Sequence, residues 1–206
     1  MKSLLLVFAK TPVLGTVKTR LAKTVGNQNA LIIYTHLLRK TNQILENLPH
    51  EVVIFFNGNN PELLQANFPT FVLKEQNGSD LGERMSLAFQ WGFNQGYKNI
   101  VIVGTDLWDF DTTLINQAFH LLKTNDCVIG PSKDGGYYLL GKKETIVELF
   151  QNKEWSSSSV LAASLEDLKK YKVALLQEKT DIDTYEDVLH FPELMHLISP
   201  SDERKN

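Results

Sequence analysis

Short, unbroken apolar runs alternate with stretches of helical periodicity along most of this chain. Seven runs read as strands: Ser3–Ala9, Glu51–Asn57, Thr70–Lys74, Asn99–Gly104, Asp126–Pro131, Gly136–Gly141 and Lys172–Leu176. Several are continuous in Val, Ile, Leu or Phe, the mark of strands covered on both faces. Between them, Asn29–Leu48 places Ile33, Leu37, Leu38, Ile44, Leu45 and Leu48 at helical spacing. Asp80-Leu-Gly-Glu83 has the spacing of a capping box and predicts a helix running to about Gly96. Asp111 or Thr112 can cap a third helix, with Leu114, Ala118, Leu121 and Leu122 on its inner face. Thr184-Tyr-Glu-Asp187 caps a fourth, which Pro192 limits. This alternation predicts an α/β layered fold with a largely parallel sheet. With no repeat and no linker-like stretch, residues 1–198 read as one domain and 199–206 as a polar, frayed tail.

Composition narrows the possibilities. A chain of 206 residues supports one sizeable core, and 43% hydrophobic with 22% charged residues excludes wholesale disorder. The first apolar run, Leu4 to Ala9, closes at Lys10 and is too short for a signal segment or a membrane span, so no membrane partner is expected. Cys127 is the only cysteine, which rules out an internal disulfide and a zinc cluster and fits a reducing cytoplasm. Its apolar setting marks it as a small buried hydrophobe rather than a nucleophile. The net charge of −3 argues against a nucleic-acid partner. The distribution of charge says more. No acid precedes Glu46, whereas Lys2, Lys10, Lys18, Arg20, Lys23, Arg39 and Lys40 all lie before it. The remainder therefore holds 14 bases against 24 acids, a net of −10. An anion site near the N-terminus, facing acidic metal ligands from later segments, accounts for this asymmetry. Solvated surface lysines account equally well for Lys2, Lys23, Arg39 and Lys40.

In open parallel sheets, ligands bind beyond the carboxyl ends of the strands, and the unusual segments of this chain fall there. After the first strand, Gly15 allows close backbone approach, and Lys18 and Arg20 sit where a helix would begin, a combination suited to a diphosphate. The spacing is not that of a P-loop, and taken alone the segment is also an ordinary Pro/Gly turn. Gln76–Arg84 follows the third strand. Gly104-Thr-Asp106 follows the fourth, and a carboxylate held by rigid backbone there needs a cation or donors. Magnesium or manganese, held by few carboxylates plus phosphate and water, is a natural partner. Asp109 or Asp111 could assist, each being equally a candidate helix cap, and Asp111 reads rather as the cap. Asp181 and Asp183 offer two further carboxylates after the last strand; a solvated turn explains Asp181 well and Asp183 less well. Asp134-Gly-Gly136 is hairpin chemistry, and Tyr137 and Tyr138 just after it suit either a stacked sugar or the core.

Five ordered motifs carry a family resemblance: Phe8-Ala-Lys10 with Gly15 and Lys18-Thr-Arg-Leu21; Gly78 with Leu81-Gly-Glu-Arg-Met85; Gly104-Thr-Asp106; Gly130-Pro131 with Asp134-Gly-Gly-Tyr-Tyr138; and Asp181-Ile-Asp-Thr184 with Glu186-Asp187. Over roughly Leu4 to Leu189 the chain resembles a bacterial family of small transferases in the glycosyltransferase-A superfamily. These are relatives of nucleotide-diphospho-sugar transferases and of molybdopterin-guanine and phospholactate guanylyltransferases, often found near radical-SAM genes and in part linked to arsenosugar synthesis. Two departures stand out. The family usually continues Gly-Thr-Asp with Cys-Pro, where this chain has Leu107-Trp108, and its Trp-Ser-Thr is here Trp155-Ser156-Ser157.

The resemblance implies a three-layer α/β/α sandwich with a mostly parallel mixed sheet, the nucleotide on its N-terminal half and the acceptor on the other. It implies a nucleotide site at Lys10, Gly15, Lys18, Arg20, Gly78, Arg84 and Thr105, and a divalent cation (Mg or Mn) on Asp106 and Asp183. Gly135, Gly136, Tyr137, Trp155 and Ser156 would meet a small-molecule acceptor, with Asp134 as base and Lys18 and Arg20 stabilising the departing phosphates. Three functions fit: transfer of a sugar from a nucleotide-diphosphate donor, transfer of a nucleotidyl group from a triphosphate with release of pyrophosphate, and nucleotide binding without catalysis. The long Lys10–Lys18 loop favours the sugar donor, since related nucleotidyltransferases have a shorter, glycine-richer loop. Leu107-Trp108 is the best support for a binder.

Overall fold

A computed structural model describes residues 2–155 and 157–198. The expected polar tail and Ser156 lie outside the described residues. Seven strands form one sheet: β1 (Ser3–Lys10), β2 (Glu51–Asn57), β3 (Val72–Glu75), β4 (Asn99–Gly104), β5 (Cys127–Pro131), β6 (Tyr137–Lys142) and β7 (Val173–Leu175). Their order is β3-β2-β1-β4-β6-β5-β7. All neighbours pair in parallel except β6, which runs antiparallel to both β4 and β5. All seven predicted strands are present, with ends displaced by no more than two residues.

The continuous apolar strands are central ones, as their composition requires. Along β1, Leu4 and Leu6 enter the core on one face of the sheet, and Leu5 and Val7 enter the core on the other. β4, in register with it (Leu4 opposite Ile100, Val7 opposite Val103), divides Ile100 and Ile102 from Val101 and Val103 in the same way. Two apolar layers thus sandwich the sheet. One is filled from α1 (Thr19–Leu45) and α4 (Thr112–Leu121), the other from α3 (Leu81–Asn94) and α5 (Val160–Asp167). The short α2 (Pro61–Gln65) contributes Leu64 to the first layer. A third apolar cluster joins Leu21, Val25, Ala30, Ile33 and Leu37 of α1 to Ile182, α6 (Tyr185–Leu189) and α7 (Pro192–Met195). Among the described residues no helix is long and apolar enough to cross a membrane.

Three differences from the sequence reading have physical causes. The first helix begins at Thr19 rather than Asn29 and passes through a kink at Gly26 (φ 80°), where periodicity is interrupted and no cap marks the start. The short α2, α5 and the 3-10 turn Glu148–Phe150 are held by packing of Leu64, Val160, Leu149 and Phe150, not by a long amphipathic pattern. Cap predictions fare better: Asp80, Asp111 and Thr184 each accept from the backbone amide three residues on. Around α3, Glu83 reaches back to the amide and hydroxyl of Ser79, one residue before the cap. Cys127 is fully buried, and burial pushes its thiol up to about 12, so it behaves as a core hydrophobe.

Candidate functional site

The carboxyl ends of β1 and β4 open into a cleft of about 730 Å³. Its first wall is built by the turn after β1. Tyr34, from α1, accepts the amide of Lys10 at 2.8 Å and donates to its carbonyl at 2.9 Å, pinning the strand end. The chain then reverses at Gly15 (φ 78°) and enters α1 through Lys18, whose backbone is left-handed (φ 49°, ψ 43°). For a residue with a Cβ this costs about 1–2 kcal/mol, so surrounding contacts must hold it.

Those contacts are two carboxylates. The Lys18 ammonium, with a side chain only 4% exposed, donates to Asp106 and, at 3.1 Å, to Asp183. Arg20 donates to the second oxygen of Asp183. Burial alone would lower the Lys18 pKa, but the charges of Asp106 and then Asp183 hold it above its ordinary value. Asp183 loses hydration too, yet Lys18 and then Arg20 keep its carboxyl below the usual range.

Asp106 and Asp183 lie far apart in sequence and meet through backbone. The amide of Ile182 donates to the carbonyl of Asp106 at 2.8 Å, and Leu107 pairs with Asp181 in a one-residue antiparallel bridge. The Leu107-Trp108 departure takes part in this arrangement. Leu107 is buried, and Trp108 packs beside α1, stacked on His36 at 5.5 Å with the Lys40 ammonium 3.7 Å from its ring centre. The solvated-turn reading of Asp181 is corrected: it lines the cleft, accepts from Ser132, and burial pushes its carboxyl up to about 7. A hydrophilic triplet, Asp-Ile-Asp, conceals this, because only the bridge to Leu107 turns its first acid inward. Asp109 is engaged by Lys179, away from the Asp106–Asp183 pair.

Two further cations face the cleft with different surroundings. Arg84 donates through Nε to the Gly78 carbonyl at 3.0 Å, and Lys10 stands at the end of β1. Among the described residues neither pairs with a carboxylate. Thr105 is buried and lines the cleft behind Asp106. On the far side stand Asp134, Gly136, Tyr137 and Trp155. Asp134 is exposed and accepts the Gly136 amide at 2.9 Å, and it also borders a smaller adjoining cavity of about 300 Å³. Trp155 lies against Gly82 in the first turn of α3, where any Cβ would strike the indole.

Three glycines expected at the ligand shape the loops around the cleft. Gly15 shapes the turn, Gly78 (φ 130°) orients Arg84, and Gly135 (φ 87°) abuts the Ser158 backbone, where a side chain would collide. None of the three lines the cleft. Glycine permits close approach of any backbone or ligand, and sequence does not say which.

A divalent cation can be tested against these donors. Asp106 and Asp183 present hard oxygens that already converge on one positive charge, and Asp106 is 44% exposed toward the cleft. Among the described residues no group of three or more His, Cys, Asp or Glu side chains is placed to hold an ion. Two carboxylates alone could hold a hard dication such as magnesium or manganese only with further oxygen ligands from phosphate and water.

The profile of a bacterial family described as "Uncharacterized protein conserved in bacteria (DUF2064)" matches residues 40–157, more than half of the chain. The chain belongs to this family. It is similar to a candidate nucleotide-diphospho-sugar transferase of Desulfovibrio desulfuricans G20, with 34% identity over 94% of this chain and 88% of that one, at a TM-score of 0.86. It shares its fold with 4-diphosphocytidyl-2C-methyl-D-erythritol synthase of Anaerococcus prevotii DSM 20548 (TM-score 0.64, 9% identity, 95% and 96% of the two chains). A cytidylyltransferase of Leptospira borgpetersenii has the same architecture (TM-score 0.56, 16% identity, 96% and 94%). No curated protein sequence matches the chain. The mixed seven-stranded sheet flanked by helices is thus the nucleotide-diphospho-sugar transferase fold, as this family's sequence motifs lead one to expect.

Proposed function

We propose that this protein is a transferase that takes a nucleotide-diphosphate sugar as donor, with a divalent cation, and glycosylates a small acceptor. The observation that carries the reading is the convergence of Asp106 and Asp183 beside four cations in one cleft of about 730 Å³. Asp106 and Asp183 would hold the cation, which when bound supplies neutralisation of the departing diphosphate. Arg84 and Lys10, free of acid partners among the described residues, suit the donor phosphates, with Arg20 at the edge of the same wall. The half of the cleft beyond β4 suits the acceptor. There Trp155 and Tyr137 offer apolar faces, and Asp134, exposed at the junction with the smaller cavity, is placed to take a proton from an acceptor hydroxyl.

The likeness to the Desulfovibrio protein and the long turn between β1 and α1 support the sugar donor. The cytidylyltransferase neighbours share only the fold and keep nucleotidyl transfer as the competing chemistry. A panel of nucleotide sugars and nucleoside triphosphates with manganese separates the two, read by thermal shift and by the product released. A nucleotide sugar at a hundredfold excess over its Kd should stabilise the protein by about 2.7 kcal/mol, a rise of about 5–10 °C in Tm. Release of a nucleoside diphosphate supports sugar transfer. Release of pyrophosphate from a triphosphate would replace it with nucleotidyl transfer, and no shift with any nucleotide would leave neither.

A further inference from the structure

Lys18 stands where a metal-binding site would place its ion. Its ammonium bridges Asp106 and Asp183, its side chain is 4% exposed, and its backbone is held in the left-handed region. Arg20 completes the second oxygen of Asp183. The two carboxylates and two cations balance one another, and Asp181 beside them is pushed toward its neutral form by burial. Both acids line the cleft, and Asp106 is the more open of the two, at 44% exposure against 29% for Asp183.

We propose that Lys18 is a resident counter-ion for the Asp106–Asp183 pair, displaced by the divalent cation only when that cation arrives with a nucleoside diphosphate. This rests on the metal-dependent donor site proposed above. The reason is electrostatic. A bare dication entering beside a buried ammonium leaves uncompensated positive charge in a cluster already balanced, and burial makes such charge costly. A nucleoside diphosphate carries more negative charge than the ion carries positive. It also offers phosphate oxygens to which the Lys18 ammonium can move on its flexible stem. The left-handed backbone fits this exchange, because contacts that hold a strained residue release that strain when they are given up. Lys18 is then a positioning residue that orders binding: without phosphate, the acids stay closed on the lysine.

The test measures bare manganese binding by water-proton relaxation, in the wild type and in Lys18→Met and Lys18→Gln. The second variant keeps a donor toward the carboxylates without the charge. Uridine and guanosine diphosphates serve as nucleotide probes. The wild type should bind manganese chloride weakly on its own, and both variants should bind it at least tenfold more tightly. Both variants should also melt at a lower temperature than the wild type in chelator, and manganese alone should restore the loss. Variants that bind bare manganese no better than the wild type would overturn the proposal, as would variants that manganese does not stabilise or fold. The donor-site reading fails differently, through a wild type in which manganese does not support binding of either nucleotide. Tight binding of bare manganese by the wild type would overturn the counter-ion role while leaving the metal site intact.

Discussion

The amide of Ile182 donates to the carbonyl of Asp106 at 2.8 Å, and this backbone bond, with the Leu107–Asp181 bridge beside it, joins the segment after β4 to the segment after β7. Through it Asp106 and Asp183 face one ammonium, although 76 residues lie between them in the chain (positions 107 to 182). The expected consequences can be checked residue by residue.

Asp106→Asn keeps the shape and backbone bond but removes one of the two charges that hold Lys18. The variant should fold, and manganese-dependent binding of a nucleoside diphosphate should fall at least tenfold, measured by calorimetric titration. Undiminished binding would place the ion elsewhere, with Asp183 and Asp181 the next carboxylates to test.

Lys10→Ala and Arg84→Ala remove the two cleft cations that lack acid partners among the described residues. Each should weaken binding of a nucleoside diphosphate by about 1.5–3 kcal/mol, the scale of a charge-assisted hydrogen bond. Binding of the uncharged nucleoside should barely change. Losses under about 1 kcal/mol that vanish in salt would mean the two only decorate the surface.

Gly82→Ala puts a Cβ into the indole of Trp155. Because the neighbour is a rigid ring, the substitution should cost about 1–3 kcal/mol, or about 2–4 °C of Tm for each kcal/mol. It should also shift the tryptophan emission as the ring moves toward the cleft. An unchanged spectrum and Tm would mean that the indole has room to yield.

Lys142 is buried with no acid partner among the described residues, its ammonium 4.6 Å from the ring centre of Phe89, 5.0 Å from Phe150 and 5.6 Å from Phe93. Burial lowers its pKa to about 8 from 10.5. Below pH 8 both folded and unfolded chains carry the proton, so the folded state bears the full penalty. Between pH 8 and 10.5 the folded state has released a proton that the unfolded chain retains, and stability from this group rises with pH. Lys142→Met should therefore be more stable than the wild type at pH 7, with the advantage shrinking by pH 10 in paired urea melts. A Met variant less stable at pH 7 would show that the three rings stabilise the cation enough to reverse the balance.

Local and short-range features were open to reading from the chain alone. The seven strands, the caps at Asp80, Asp111 and Thr184, and the burial of Cys127 follow from patterns a few residues long, because strand composition and capping chemistry are local requirements. So does the collection of unusual loops at one end of a parallel sheet. The kink at Gly26 and the short helices α2 and α5 were not legible, since packing rather than periodicity sustains them. The tertiary structure alone decided how the charges divide. Lys18 and Arg20 turn to Asp106 and Asp183, Lys10 and Arg84 remain clear of acids among the described residues, and Asp181 is drawn inside. Sequence order states which charges exist and which loops carry them. Which charge meets which depends on a backbone bridge between residues 106–107 and 181–182, a contact that no periodicity encodes.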